Sequence, residues 1–100
     1  MVNHPNRHGK AVVITTSHRG VFFGYLAEYT PGDLVIHLKQ VRCCISWPTE
    51  QRGFIGLASD GPKRGSRIGP AAPSAEIRDV TGVWDCSDEA VKVWESAPWN

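Results

Sequence analysis

The sequence predicts a mainly β protein with one C-terminal helix, built as a small, strongly bent antiparallel sheet or barrel of five to six strands. Two observations carry this. Short runs rich in β-branched and aromatic residues recur (KAVVITT, VFFGYLAEY, LVIHL, VRCCISW), each bounded by turn-forming residues. Helical apolar spacing is convincing in one place, SDEAVKVWE near the C-terminus. A third observation bounds the size: 100 residues with 41% apolar content suffice for one core and not for two, so residues 1–100 form a single domain.

Residues 1–9 read as a flexible tail, and residues 10–16 as the first strand, ended by the polar Ser17, His18, Arg19 and Gly20. Residues 21–29 form the second, with Gly24 where a strand either bends or lets another backbone approach. Thr30-Pro-Gly-Asp33 is turn chemistry, proline pre-setting φ and glycine supplying a positive one. Residues 34–38 and 41–47 are the third and fourth strands, and Val41, Cys43, Ile45 and Trp47 alternate so as to line one face of the latter. Pro48 stops it. Residues 53–58, GFIGLA, are apolar enough for a fifth strand. Residues 59–74 are a cationic Gly/Pro loop and linker, and residues 75–84 the last strand, with Ile77, Val80 and Val83 inward. The helix covers residues 87–96: Ser87 caps it, Asp88 and Glu89 complement its positive end, and Ala90, Val91 and Trp94 form its apolar stripe.

Charge is uneven along the chain. The net value is +1, yet residues 1–70 hold nine Lys/Arg against four Asp/Glu, and residues 71–100 two against six. A binder of long duplex nucleic acid needs a wide basic face, because each neutralised phosphate adds affinity. The balance here excludes that class and suits a compact anion on a local patch, or head-to-tail contact within a homo-oligomer. No apolar run approaches the ~18 residues that cross a bilayer, and MVNHPNRHGK lacks a signal peptide's apolar segment, so no membrane partner is expected and the expected compartment is the cytoplasm. Cys43, Cys44 and Cys86 offer no Cys-x-x-Cys pair, which points to reduced thiols.

The patch is the stretch DGPKRGSRIGP, residues 60–70. Its prolines and glycines make it a loop, and Lys63, Arg64, Ser66 and Arg67 supply three cations and a hydroxyl beside glycines that admit an anion close to the main chain. It lacks the Gly-Lys-Ser/Thr of a phosphate-binding P-loop. Lys63 is a point charge, whereas Arg64 and Arg67 are planar forks matched to phosphate. Arg52 is placed to join the same anion. Trp47 and Phe54 flank Arg52 and offer faces on which a base stacks. The plainer alternatives are a solvated loop for the cations and core packing for each aromatic taken singly. Catalytic and metal readings are poor: His4, His8, His18 and His37 sit in a tail, a turn and a strand, and Asp79 and Asp85 read as strand-end charges. The expectation is a binding protein with no enzymatic activity and no cofactor.

Two resemblances add to this. The second strand, turn and third strand resemble the middle of an Sm-like or SH3-like barrel. Across nearly the whole chain, SHRGVFFGY, then Cys44 and Trp47, RGFIGLA, Gly61-Pro62, RIGP, RDVT, EAVKVWE and APW resemble a group of small uncharacterised proteins of tailed phages and prophages. Where that group carries Asn-Cys and Tyr-Trp, this chain has Cys43-Cys44 and Ser46-Trp47. The resemblance implies a phage-accessory setting in the host bacterial cytoplasm and brings no assigned activity. The expected function is a phage-encoded sponge that sequesters a phosphorylated nucleotide signal of host anti-phage immunity. The alternatives are an Sm-like module for RNA or single strands, and a structural or accessory virion protein.

Overall fold

The computed structural model describes residues 9–17, 20–28, 35–51 and 53–97. Its elements are β1 (Ala11–Thr16), β2 (Val21–Glu28), β3 (Ile36–Ser46), a 3-10 turn (Thr49–Gln51), α1 (Gly53–Ser59), β4 (Arg67–Ile68), β5 (Ala72–Ile77), β6 (Val80–Asp85) and α2 (Asp88–Ser96). Every strand pair is antiparallel. The order is β4-β3-β2-β1-β6, with β5 on the same side of β3 as β4 but against its first half.

This connectivity forces curvature. In a flat sheet β5 and β6 would lie four strand spacings apart, about 19 Å. Only Arg78 and Asp79 join them, and three Cα steps span at most about 11 Å. The sheet therefore curls until its two edges meet at this corner. Asp79 turns the chain with φ 56°, and its carbonyl accepts from the Ser17 N–H of the neighbouring strand end (3.0 Å).

The curl creates two cores. Val12, Ile14, Leu26, Ile36, Leu38, Val41, Ile77 and Val80 fill one side. On the other, Val13, Val21, Phe23, Cys44 and Ile68 pack under Leu57 and Ala58 of α1 and Ala90 and Trp94 of α2. β1 is covered on both faces, with Val12, Val13 and Ile14 fully buried, which is why it reads as an unbroken apolar run. Gly24 belongs where it is: a Cβ there would stand 3.0 Å from the Leu38 Cβ and 3.2 Å from the Lys39 carbonyl. The mainly β class with a C-terminal helix is thus what the chain adopts.

Several boundaries differ. The expected third and fourth strands are one strand, β3, interrupted at Gln40 (φ 53°), where an extra residue shifts the alternation. Ile36 and Leu38 face the first core, and so does Val41. Arg42 and Cys44 turn to the helix side, while Ile45 and Trp47 are exposed rather than inward. Residues 53–58 are not a strand but α1. Phe54, Leu57 and Ala58 lie at helical spacing and all meet the helix-side core; glycines at 53 and 56 masked that pattern, and packing supplies what seven residues could not gain alone. The helix closes with Asp60 N–H on the Gly56 carbonyl and Gly61 N–H on the Leu57 carbonyl, Gly61 taking φ +81°. The 59–74 segment contains β4 and the start of β5, and the last expected strand is split by the Arg78–Asp79 corner. The 30–33 turn, His18 and the 1–8 tail lie outside the described residues.

Ser87 locks the two helices. Its hydroxyl accepts from Ala90 N–H (3.0 Å) as the α2 cap and donates to the Ser59 carbonyl (2.7 Å), while its N–H donates to the Ala58 carbonyl.

Candidate functional site

The cationic loop is held by a single side chain. Gln51, fully buried at the end of the 3-10 turn, donates through Nε2 to the Gly61 carbonyl (2.7 Å). Its Oε1 accepts from the Lys63 N–H (2.7 Å) and the Ser66 hydroxyl (3.5 Å). Residues 63–66 close a turn, Ser66 N–H on the Lys63 carbonyl, with Gly65 at φ +98° after a residue of negative φ, the requirement of a type II turn. The amides of Arg64 and Gly65 have no partner among the described residues. Neither do the side chains of Lys63, Arg64 and Arg67, in contrast to Arg78, which binds Glu76 at 2.7 Å. Pro62, Lys63, Arg64, Gly65 and Ser66 form one wall of a cavity of about 420 Å³, and Val93, Ser96 and Ala97 at the end of α2 the other.

A helix C-terminus would make that far wall electronegative. Arg42, only 8% exposed, counters it: Nη1 donates to the Trp94 and Ala97 carbonyls (2.7 Å each) and Nε to the Gly69 carbonyl (2.8 Å). Burial lowers its pKa below the ordinary guanidinium value. Arg42 was missed as a key residue; its signal was a lone cation in the apolar run VRCCI.

The aromatic half lies on a neighbouring surface. Trp47 and Phe54 line an open groove of about 660 Å³ with Thr15, Thr16, Gly20, Val21, Thr81 and the second half of β3. Phe54 stands edge-on to Trp84 (centroids 5.0 Å apart). The groove and the loop adjoin through Pro48, whose ring lies about 3.8 Å from the position of a Gly65 Cβ. Arg67 is exposed on β4; its main chain pairs with Ser46, a groove residue, and its neighbours Ser66 and Ile68 line the cavity. The structure thus joins Trp47 with Phe54, and Lys63 with Arg64 and Ser66, as two adjacent surfaces instead of one pocket. Arg52 lies outside the described residues.

The three thiols stay protonated. Burial, reinforced by Cys43, lifts Cys44 to about 12; burial and Asp85 lift Cys86 to about 12; burial raises Cys43. Tyr25, whose hydroxyl donates to the Glu95 carboxylate, also rises to about 12, through burial first and that bond second. Folded-state values above the ordinary 9.0 for thiols and 10.0 for tyrosine mean that the fold favours the protonated forms. Their stabilisation is complete below pH 9 and is lost as pH rises toward 12. Melting temperature is expected to fall from pH 9 upward, and Cys44→Ala and Cys86→Ser together to flatten that fall; an unchanged slope would contradict the assignment.

A curled β sheet braced by two helices, with a cationic turn beside an aromatic groove, defines a small mainly β domain. Among the described residues there is no group of three or more potential metal ligands, and no helix is long and apolar enough to cross a membrane. Residues 9–94 match the family described as Domain of unknown function (DUF6948), and the chain belongs to that family. No curated protein and no solved structure matches it.

Proposed function

We propose that the protein is a non-enzymatic binding module for a compact phosphorylated nucleotide-type molecule. The observation that supports this reading is the turn at residues 63–66: cations and two amides with no partner among the described residues, fixed by a buried glutamine, beside a groove carrying Trp47. Unpaired cations on a merely solvated loop have no need of a buried tether, whereas a preorganised anion site gains affinity by not having to order itself on binding. The resemblance to phage proteins gives the biological setting, sequestration of a nucleotide signal of host immunity by a homo-oligomer in the bacterial cytoplasm.

A ligand that binds only the folded form raises the melting temperature by mass action. Mono-, di- and cyclic nucleotides are screened this way, each beside its nucleoside. A nucleotide is expected to exceed its nucleoside in affinity by well over tenfold, since charge-assisted bonds to phosphate contribute roughly 1.5 to 3 kcal/mol each. Lys63→Ala with Arg64→Ala, both at exposed positions of the turn, is expected to abolish the nucleotide's effect and leave the unliganded melt within about a degree or two. Equal shifts from nucleotide and nucleoside would refute the phosphate assignment. A steep salt dependence with oligonucleotides would instead favour an RNA-binding module, because many phosphates set that slope.

A further inference from the structure

The described lining of the groove beside the cationic turn combines the hydroxyls of Thr15 and Thr81 with the apolar side chains of Ile45, Trp47 and Phe54. Its two walls differ in kind. Trp47 and Ile45 stand on one side at 36% and 54% exposure, apolar surface that water solvates poorly. The other side is a set of hydroxyls with spare capacity. Thr15 and Thr81 bond to each other (3.0 Å), which consumes one of their two protons and leaves the second, together with acceptor lone pairs, for a ligand. About 660 Å³ lies within the ~300–1,000 Å³ typical of small-molecule sites.

We infer that this groove is a second half-site, which stacks the flat ring of a nucleobase on Trp47 and reads its polar edge through Thr15 and Thr81. The inference rests on the nucleotide reading above and deepens it, assigning the base to residues on β1 and β6 that no sequence motif marked. A flat ring fits a wall of aromatic and aliphatic side chains. Its edge of donors and acceptors fits hydroxyls that serve as either. The proximity of Pro48 to the turn at Gly65 sets an attached phosphate toward Lys63 and Arg64.

The test titrates the full chain with adenosine, guanosine, cytidine and uridine, and separately with ribose 5-phosphate, following the amide resonances of Gly20, Thr81 and Gly65. At least one nucleoside is expected to move Gly20 and Thr81, and ribose 5-phosphate to move Gly65. Thr15→Val with Thr81→Val, and separately Trp47→Ala, are expected to weaken that nucleoside at least tenfold and leave ribose 5-phosphate unchanged. Resonances of the wild-type chain decide the matter even if a variant fails to fold. Ribose 5-phosphate binding with no nucleoside in the groove would overturn the inference and spare the phosphate half of the proposed function. Groove-dependent nucleoside binding without ribose 5-phosphate binding would support the inference and remove the phosphate half. A dimer that Trp47→Ala dissociates, with no nucleoside bound, would overturn it in favour of a second copy of the chain.

Discussion

Trp94→Ala is expected to be the most damaging single substitution, costing roughly 3 to 5 kcal/mol, the range for a buried aromatic truncated to alanine. Trp94 is fully buried where α2 meets α1 and β2, its ring stacked on Phe23 with centroids 4.9 Å apart and planes within 7°. Its indole N–H also donates to the Leu57 carbonyl (3.0 Å). Alanine would open a cavity, remove the stack and leave that carbonyl without this partner in one step. Because the ring lies on the helix side of the sheet, the opposite core of Ile36, Leu38 and Ile77 loses no direct contact with it. Denaturant titration checks the size of the loss, and Trp94→Phe, which keeps a stackable ring and gives up the N–H and part of the buried volume, should lose clearly less. A cost below about 1 kcal/mol for Trp94→Ala would mean that the helices do not dock as described.

Arg42→Met ranks second. Methionine matches the aliphatic stem but abandons the Gly69, Trp94 and Ala97 carbonyls, each a bond to a charged donor. At roughly 1.5 to 3 kcal/mol per such bond, with water able to replace some of them at the helix end, the loss is expected near 3 kcal/mol. Arg42→Lys separates charge from geometry. An ammonium keeps the positive end against the α2 dipole but cannot offer a planar fork to three carbonyls, so it should recover only part of the loss. Chemical denaturation of the two variants side by side makes the comparison; full recovery by lysine would show that charge alone matters here.

Much of this was legible in the sequence, and what was not has identifiable causes. The first two strands and the Ser87-capped helix follow from local chemistry: β-branched runs, a turn after Thr16, an N-cap with acidic residues behind it. Residues 53–58 read as a strand because the seven residues of α1, two of them glycine, have little intrinsic helical preference, and their helix depends on a sheet that a local window does not contain. Gln40 hides its effect in the same way: nothing in KQVR announces that one residue in left-handed geometry will send Arg42 and Cys44 to the far side of β3. Of the site, the cationic residues and the two aromatics could be named from the sequence. Their division between two surfaces could not, nor could the role of Gln51, an uncharged residue in an ordinary polar stretch whose partners lie ten to fifteen positions away.

The corner at Arg78 and Asp79 also bears on when the protein can exist. β6 completes the sheet against β1, so Val12 pairs opposite Asp85 and Ile14 opposite Val83, contacts that span most of the chain. Such non-local pairing slows folding, because the closing strand must be recruited across a long stretch of already synthesised polypeptide. On the ribosome, β1 emerges well before β6 and waits with one edge unpaired until residues 80–85 have cleared the exit tunnel. The fold is therefore acquired only once β6 has been made, and a nascent chain stalled before Val80 exposes the very strand that the finished molecule buries on both faces.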